Sequence, residues 1–223
     1  MADADENDPG LALERQAARH REIEHRVKNT LQLISSIVLL QGRRAEDEAA
    51  RGALKAIQQR VAAVSVAHRH VTWDDDAEQV ELASLIREIV GDLATSAGRE
   101  GVTIDLDLET LSIPGRQGAP IALLVCELVS NALRHAYPEG RDGRIRVVLR
   151  RTSQGVELAV SDKGVGMDPA AGSKGFGLTV AQLMAQQLRG KLVTEADPPG
   201  VRLSVLLPAE DVSSSSRSAM PPY

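Results

Sequence analysis

The residues of this chain whose types and spacing could do chemistry fall into two groups. The first is a single histidine, His25, in the string EHRVKNTLQL (24–33). Around it Ile23, Val27, Leu31, Ile34 and Val38 recur at steps of three and four, the seam of an amphipathic helix. At about 100° per residue His25 projects roughly opposite that seam. It is expected in water, with Glu22, Lys28, Asn29 and Gln32 on its own face. A neutral imidazole with a free nitrogen is a competent nucleophile near neutral pH. From the helix alone, a surface histidine without chemistry is the better reading.

The second group is three strings in the later half. In ELVSNALRHAYPEG (127–140), Glu127, Asn131 and Arg134/His135 share one face of one helix. A carboxylate and an amide oxygen at that spacing can share a hard, oxygen-loving cation; a polar helix end beside an apolar core reads the same way. DKGVGM (162–167) ends a strand-like run with Asp162 and follows it with Gly164 and Gly166. Those glycines let backbone approach a ligand closely, although turns after strands often read this way. In GSKGFGL (172–178), Gly175 and Gly177 open a helix whose N-terminus can face phosphates, and Lys174 adds a charge there. Residues 167–175, rich in Ala, Gly and Ser, read as a short mobile lid. None of these strings makes a P-loop or a dinucleotide fingerprint.

The elements that must position these residues change character once along the chain. From Leu11 to Val71 everything reads as helix without proline. A second seam, Leu54, Ile57, Val61, Val64, His68 and Val71, follows the polar turn QGRRAEDE (41–48), so an antiparallel hairpin is expected, with His68 packing on its seam. Two helices cannot close a core alone, and a homodimer forming a four-helix bundle completes it. The acidic stretch TWDDDAE (72–78) is the expected boundary. After it come helix 81–98, strand 102–108, helix 119–136, a hairpin of strands 143–151 and 155–162, helix 178–188 and a closing strand pair. Helices with mainly antiparallel strands in this order predict a two-layer α+β sandwich. The predicted organisation is a flexible tail (1–18), the helical hairpin (19–76), the mixed domain (77–210) and a disordered tail (211–223).

Composition narrows the partners. The chain has 223 residues, a net charge of −5 and only 2% aromatic residues, which argues against a nucleic-acid binder and for an aliphatic core. One cysteine, Cys126, in an apolar helical run is expected to be buried and inert. No apolar run is long enough to span a bilayer and the acidic N-terminus is unlike a signal peptide, so a cytoplasmic protein is expected. The arginines at 141, 144, 146, 150 and 151 are read as a solvated strand face.

Taken together, the strings carry a resemblance. EHRVKNTLQLISSIVLLQ (24–41) resembles the phosphoacceptor helix of the sensor histidine kinases of the H-R-x-K-N type, through His25, Arg26, Lys28, Asn29, Leu31 and Gln32. The three later strings resemble the N, G1 and G2 boxes of the GHKL ATPase fold. The resemblance implies an ATP-dependent autokinase of a two-component system. In it His25 accepts the γ-phosphoryl of ATP and passes it to an aspartate on a response-regulator receiver domain. Asn131 would ligate Mg²⁺, Glu127 would orient a metal-bound water or act as base, and Arg134 would face phosphate. Asp162 would accept a hydrogen bond from the adenine amino group. The alternative is a histidine phosphotransferase of the same fold that does not use ATP.

Three departures from the pattern are visible. Arg26 stands where the larger kinase class has an acidic residue, leaving Glu22 as the candidate base. Gly200-Val201 replaces the usual Gly-Thr of the last strand pair, and Phe176 is large for a position between the G2 glycines. The roughly 20 residues before the hairpin are too few for a sensory domain, so input is expected from a separate sensory protein, from the tails or from a removed region.

Overall fold

A computed structural model of the chain describes residues 9–74, 77–138, 141–166, 175–208 and 213–214. Two long helices come first, α1 (Pro9–Arg44) and α2 (Glu48–Arg69). They are joined by a short turn that Asp47 closes, its carboxylate accepting the Ala50 N–H at 3.0 Å. They pack as the expected hairpin: Val27, Leu31 and Val38 are half-buried, and Gly42 sits against Leu54. Leu33, Ile34, Ile37, Leu40 and Ile57 remain exposed on the same pair of helices.

Helix α2 has a second buried side that its seam does not announce. Ala63, Val66 and Ala67 belong to the same hydrophobic core as the mixed domain, whereas His68, expected to pack, is exposed. The reason is that α2 lies between two partners, α1 on one side and the helices of the mixed domain on the other. Small side chains at 63 and 67 let it approach closely.

The described residues of the expected boundary, 72–74 and 77–78, are strand. Strands β1 (Val71–Asp74) and β2 (Ala77–Glu81) pair antiparallel across it. With β4 (Leu111–Pro114) and β9 (Ser213–Ser214) they form a four-stranded sheet that the sequence reading missed, because these strands are too short to show a period. The joint is pinned by Glu88, which pairs with Arg69 and lies 2.6 Å from His70 Nε2. The hydrogen bonds from His70 and Arg69 hold its carboxyl below the usual range. Helix α1 begins at Pro9, within the segment expected as tail, and Ser213–Ser214 pairs with β4 inside the expected C-terminal tail.

The second layer follows the predicted order. Helix α3 (Leu82–Ala97) is opened by Glu81, whose carboxylate accepts the N–H groups of Ala83 and Ser84, and closed by Gly98 at φ 57°. Strands β3 (Val102–Leu108), β5 (Gly143–Thr152), β6 (Gly155–Asp162), β7 (Leu192–Asp197) and β8 (Gly200–Leu207) make a sheet ordered β3-β5-β6-β8-β7. Only the β3–β5 pair is parallel, and helix α4 (Gly118–His135) lies between those strands in the chain. Ile145, Val147 and Leu149 of β5 point into the core. Arg144, Arg146 and Arg150 point out and pair with Asp105, Asp107 and Glu157 on neighbouring strands. The arginine run is therefore a solvated, charge-paired strand face. Helix α5 (Phe176–Gln187) completes the helical layer against α4.

Candidate functional site

Helix α4 is buried nearly all round at its start, where Ile121, Leu124, Val125 and Leu128 fill the core. Burial there pushes the Cys126 thiol up to about 12, so it stays protonated and inert. The polar face begins at Glu127, a carboxylate only 3% exposed. Its partner comes from the hairpin. Arg60 of α2 donates from Nε to Oε1 at 2.6 Å and from Nη2 to Oε2 at 3.2 Å, a two-pronged pair across 67 residues of sequence. Asn131, one turn further, is half-buried, and Arg134 and His135 at the helix end are exposed. Partial burial and the charge of Arg134 hold the His135 imidazole below its usual pKa, so it is neutral at pH 7.

The start of α5 closes over this face. A Cβ at Gly177 would stand 2.6 Å from Glu127 Oε2 and 3.9 Å from Arg134 Nη2. Glycine there lets the helix opening lie against the carboxylate. Phe176 beside it is 70% exposed, and its ring lies 4.9 Å below the Arg60 guanidinium carbon.

The far end of α4 holds the loop after β6. Asp162 Oδ1 accepts the Gly164 N–H at 2.9 Å, leaving Oδ2 as a further acceptor for a ligand amine. A Cβ on Gly164 would fall 1.9 Å from the Ala136 carbonyl oxygen, which also accepts the Val165 N–H at 2.8 Å. Gly166 has φ 78°, in the left-handed region. Tyr137 ties the same corner: its phenol donates to the Arg144 carbonyl at 2.7 Å and accepts the N–H groups of Arg144 and Lys163 at 3.0 and 2.9 Å. One helix thus carries the carboxylate–amide–arginine face along its length and anchors the aspartate–glycine loop at its end.

Of the residues singled out from sequence, Glu127, Asn131, Arg134 and Gly177 come together on the α4–α5 side, and Asp162, Gly164 and Gly166 gather at the end of α4. Gly175 stands immediately before α5. His25 lies on α1, which supplies no residue to either group, and its side chain is outside the described part, as are Lys174 and all of the expected lid (167–175) except Gly175. Glu22 is paired with Arg26 at 2.7 Å on the exposed helix surface. Val201 is buried in the core rather than lining an opening. The sequence reading missed Arg60 and Tyr137. A lone arginine in a helical run carries no pattern, and a tyrosine after a helix announces no partner.

The oxygen donors are of the kind a hard cation takes: Asn131 carries an amide oxygen one turn from the Glu127 carboxylate, and Arg134 is exposed beyond them. Among the described residues no His/Cys/Asp/Glu group could hold a metal ion by itself. None of the helices, again among the described residues, is long and apolar enough to cross a membrane.

Comparison with known proteins matches two family models, one described as histidine kinase over residues 22–97 and one as histidine kinase-like ATPase domain over residues 78–198. The sensor histidine kinase PdtaS of Mycobacterium tuberculosis is 29% identical over 178 residues, which cover 78% of this chain and 34% of that protein. A blue-light-activated histidine kinase of Rhizobium johnstonii is 30% identical over 204 residues, covering 87% of this chain and 55% of that one. The chain thus spans about a third to a half of the length of the curated relatives it matches. Among solved structures, the histidine kinase domain of a blue-light activated histidine kinase from Erythrobacter litoralis superposes with a TM-score of 0.66 at 22% identity. It covers 90% of this chain and 96% of that one, a likeness of fold.

Proposed function

The chain belongs to the histidine kinases, with an ATP-binding domain of the histidine kinase-like ATPase type, and on that premise we propose that it is an ATP-dependent protein-histidine autokinase of a two-component system. The observation that carries this reading is helix α4, whose polar face and anchored loop form a single nucleotide platform. Asp162 Oδ2 takes the adenine amino group, and the Gly164 and Gly166 backbone lies along the base. Arg134 and the N-terminus of α5, opened by Gly175 and Gly177, face the phosphates; Lys174, expected from the sequence to add a charge there, lies outside the described residues.

Asn131 is the residue that would hold Mg²⁺, with Glu127 orienting its water or serving as base. That cation, when bound, neutralises phosphate charge. A nitrogen of the His25 imidazole attacks the γ-phosphorus of ATP in line. An N–P bond forms as the bond to the β–γ bridging oxygen breaks, and ADP leaves. The protein contributes positioning and charge, which dominate such transfers. The phosphoryl group then passes to an aspartate of a receiver domain docked on the hairpin.

The domain division follows: a phosphotransfer and dimerisation hairpin over 19–76 and a catalytic domain over 77–210, joined by the β1–β2 pair. Homodimerisation through the hairpin is supported by the exposed Leu33, Ile34, Ile37, Leu40 and Ile57, an apolar strip fit for a second copy. Cytoplasmic location completes the proposal. The phosphotransferase alternative is not favoured, because Asn131, Asp162 and the glycines 164, 166, 175 and 177 are all in place.

A calorimetric titration with a non-hydrolysable ATP analogue and Mg²⁺ separates the two. Saturable binding that Asn131→Ala and Asp162→Ala weaken supports the kinase; no binding by the unaltered chain contradicts it.

A further inference from the structure

We propose that Arg60 is an interdomain latch that holds the chain in a resting arrangement by occupying the Glu127 carboxylate, with Phe176 as its second hold. The proposal deepens the kinase reading and rests on it. Arg60 is on the hairpin that carries His25, and Glu127 is on the nucleotide-binding helix, so this pair joins the donor half of the reaction to the acceptor half. Both carboxylate oxygens are engaged at 2.6 and 3.2 Å, and the side chains are 17% and 3% exposed. While the pair stands, each Glu127 oxygen already accepts a hydrogen bond from Arg60, which fills about half of the carboxylate's acceptor sites. An unpaired buried charge is costly, so release of Arg60 requires something to replace it.

The geometry of the hairpin sets when release must happen. With Gly42 against Leu54 in an antiparallel hairpin, Arg60 lies level with about residue 36 of α1. His25, about 11 residues further along α1, then stands roughly 16 Å along the hairpin axis, at about 1.5 Å per residue. Bringing the nucleotide platform to His25 requires the ATP-binding domain to move along the hairpin. Any movement that closes the offset pulls Arg60 away from Glu127. Freeing the catalytic carboxylate and approaching His25 are therefore one event.

Phe176 supplies the link to nucleotide. Its ring, 70% exposed, lies under the Arg60 guanidinium at 4.9 Å, at the first residue of the helix whose N-terminus faces the phosphates. A large aromatic residue between two glycines of this loop has no evident use at the nucleotide itself. As a cation–π seat for Arg60 it does have one. Phosphates arriving at the α5 N-terminus shift this seat, and a bound cation beside Asn131 offers Glu127 its replacement partner.

The test uses the full chain in two measurements. Nitroxide pairs at Gln41 and Gln186, both exposed, report the distance between the hairpin and α5 in protein diluted with unlabelled chains. Initial rates of labelling by γ-labelled ATP report the reaction. Arg60→Ala is expected to lengthen or broaden the distance and to raise the initial rate about 5-fold or more. Phe176→Ala, a change at an exposed position that leaves the buried pair intact, shifts both in the same direction by less. It also keeps the test decisive if Arg60→Ala folds poorly. An unchanged distance in Phe176→Ala and Arg60→Ala, or a shifted distance with slower labelling, overturns the latch. A distance that shifts in chains that never take up label supports the latch and overturns the kinase reading beneath it.

Discussion

Tyr137 holds Lys163 by its backbone: the phenol oxygen accepts the Lys163 N–H at 2.9 Å and at the same time bridges both main-chain groups of Arg144. The residue after the amide-bearing helix thereby fixes the loop that follows Asp162, twenty-odd residues later in the chain. Two of the three sequence strings are in this way one structural unit.

Tyr137→Phe keeps the ring, against which Gly143 packs, and removes three hydrogen bonds. Main-chain groups left without partners at this part-buried corner cost up to about 1 to 3 kcal/mol. Urea unfolding should show a loss in that range, and nucleotide affinity should fall with it because Asp162 loses its fixed loop. A melt indistinguishable from the unaltered chain would count against this role.

Gly164 and Gly175 make opposite predictions although both belong to nucleotide-box strings. A methyl group at 164 meets the Ala136 carbonyl at 1.9 Å, whereas at 175 nothing lies within 4 Å. Gly164→Ala should abolish binding of a fluorescent ATP analogue and lower the melting temperature. Gly175→Ala should leave the fold intact. Equal loss of stability in both variants contradicts the packing described here.

What the sequence made legible was periodic or chemically marked. The hairpin seam, the strand alternation of β5 and β6 and the three glycine-bearing strings each carry a pattern that survives without a structure. The second buried side of α2 does not, since Ala63 and Ala67 look like ordinary helix formers. Strands β1, β2 and β4 are four or five residues long and one is acidic, below the length at which alternation means anything. Arg60 was invisible because a single cation announces its partner only when the chain folds. Phe176, out of place as a loop residue, was visible as an anomaly, and its neighbour Arg60 explains it.

Glu157 ties three strands: Arg150 of β5 at 2.7 Å and Arg202 of β8 at 2.5 Å both reach it on β6. Burial raises its pKa, but the hydrogen bonds from Arg202 and Arg150 outweigh burial and hold the carboxyl below its usual value. A carboxylate depressed in the folded state stabilises it above the unfolded value, about 4.3, and that stability is lost as pH falls through the folded value. Glu157→Gln should cost about 1 to 3 kcal/mol at pH 7. The gap to the unaltered chain should close in denaturation curves taken progressively below about pH 4. A gap independent of pH contradicts the charge-based account.

The kinase function turns on His25 as the phosphoryl acceptor. Incubation of the purified chain with γ-labelled ATP and Mg²⁺ should place label on His25 as an acid-labile, base-stable phosphoramidate. His25→Gln should take up none while still binding nucleotide, and Asn131→Ala should lose labelling with His25 intact. Label that persists in His25→Gln, or that survives acid, contradicts the central claim.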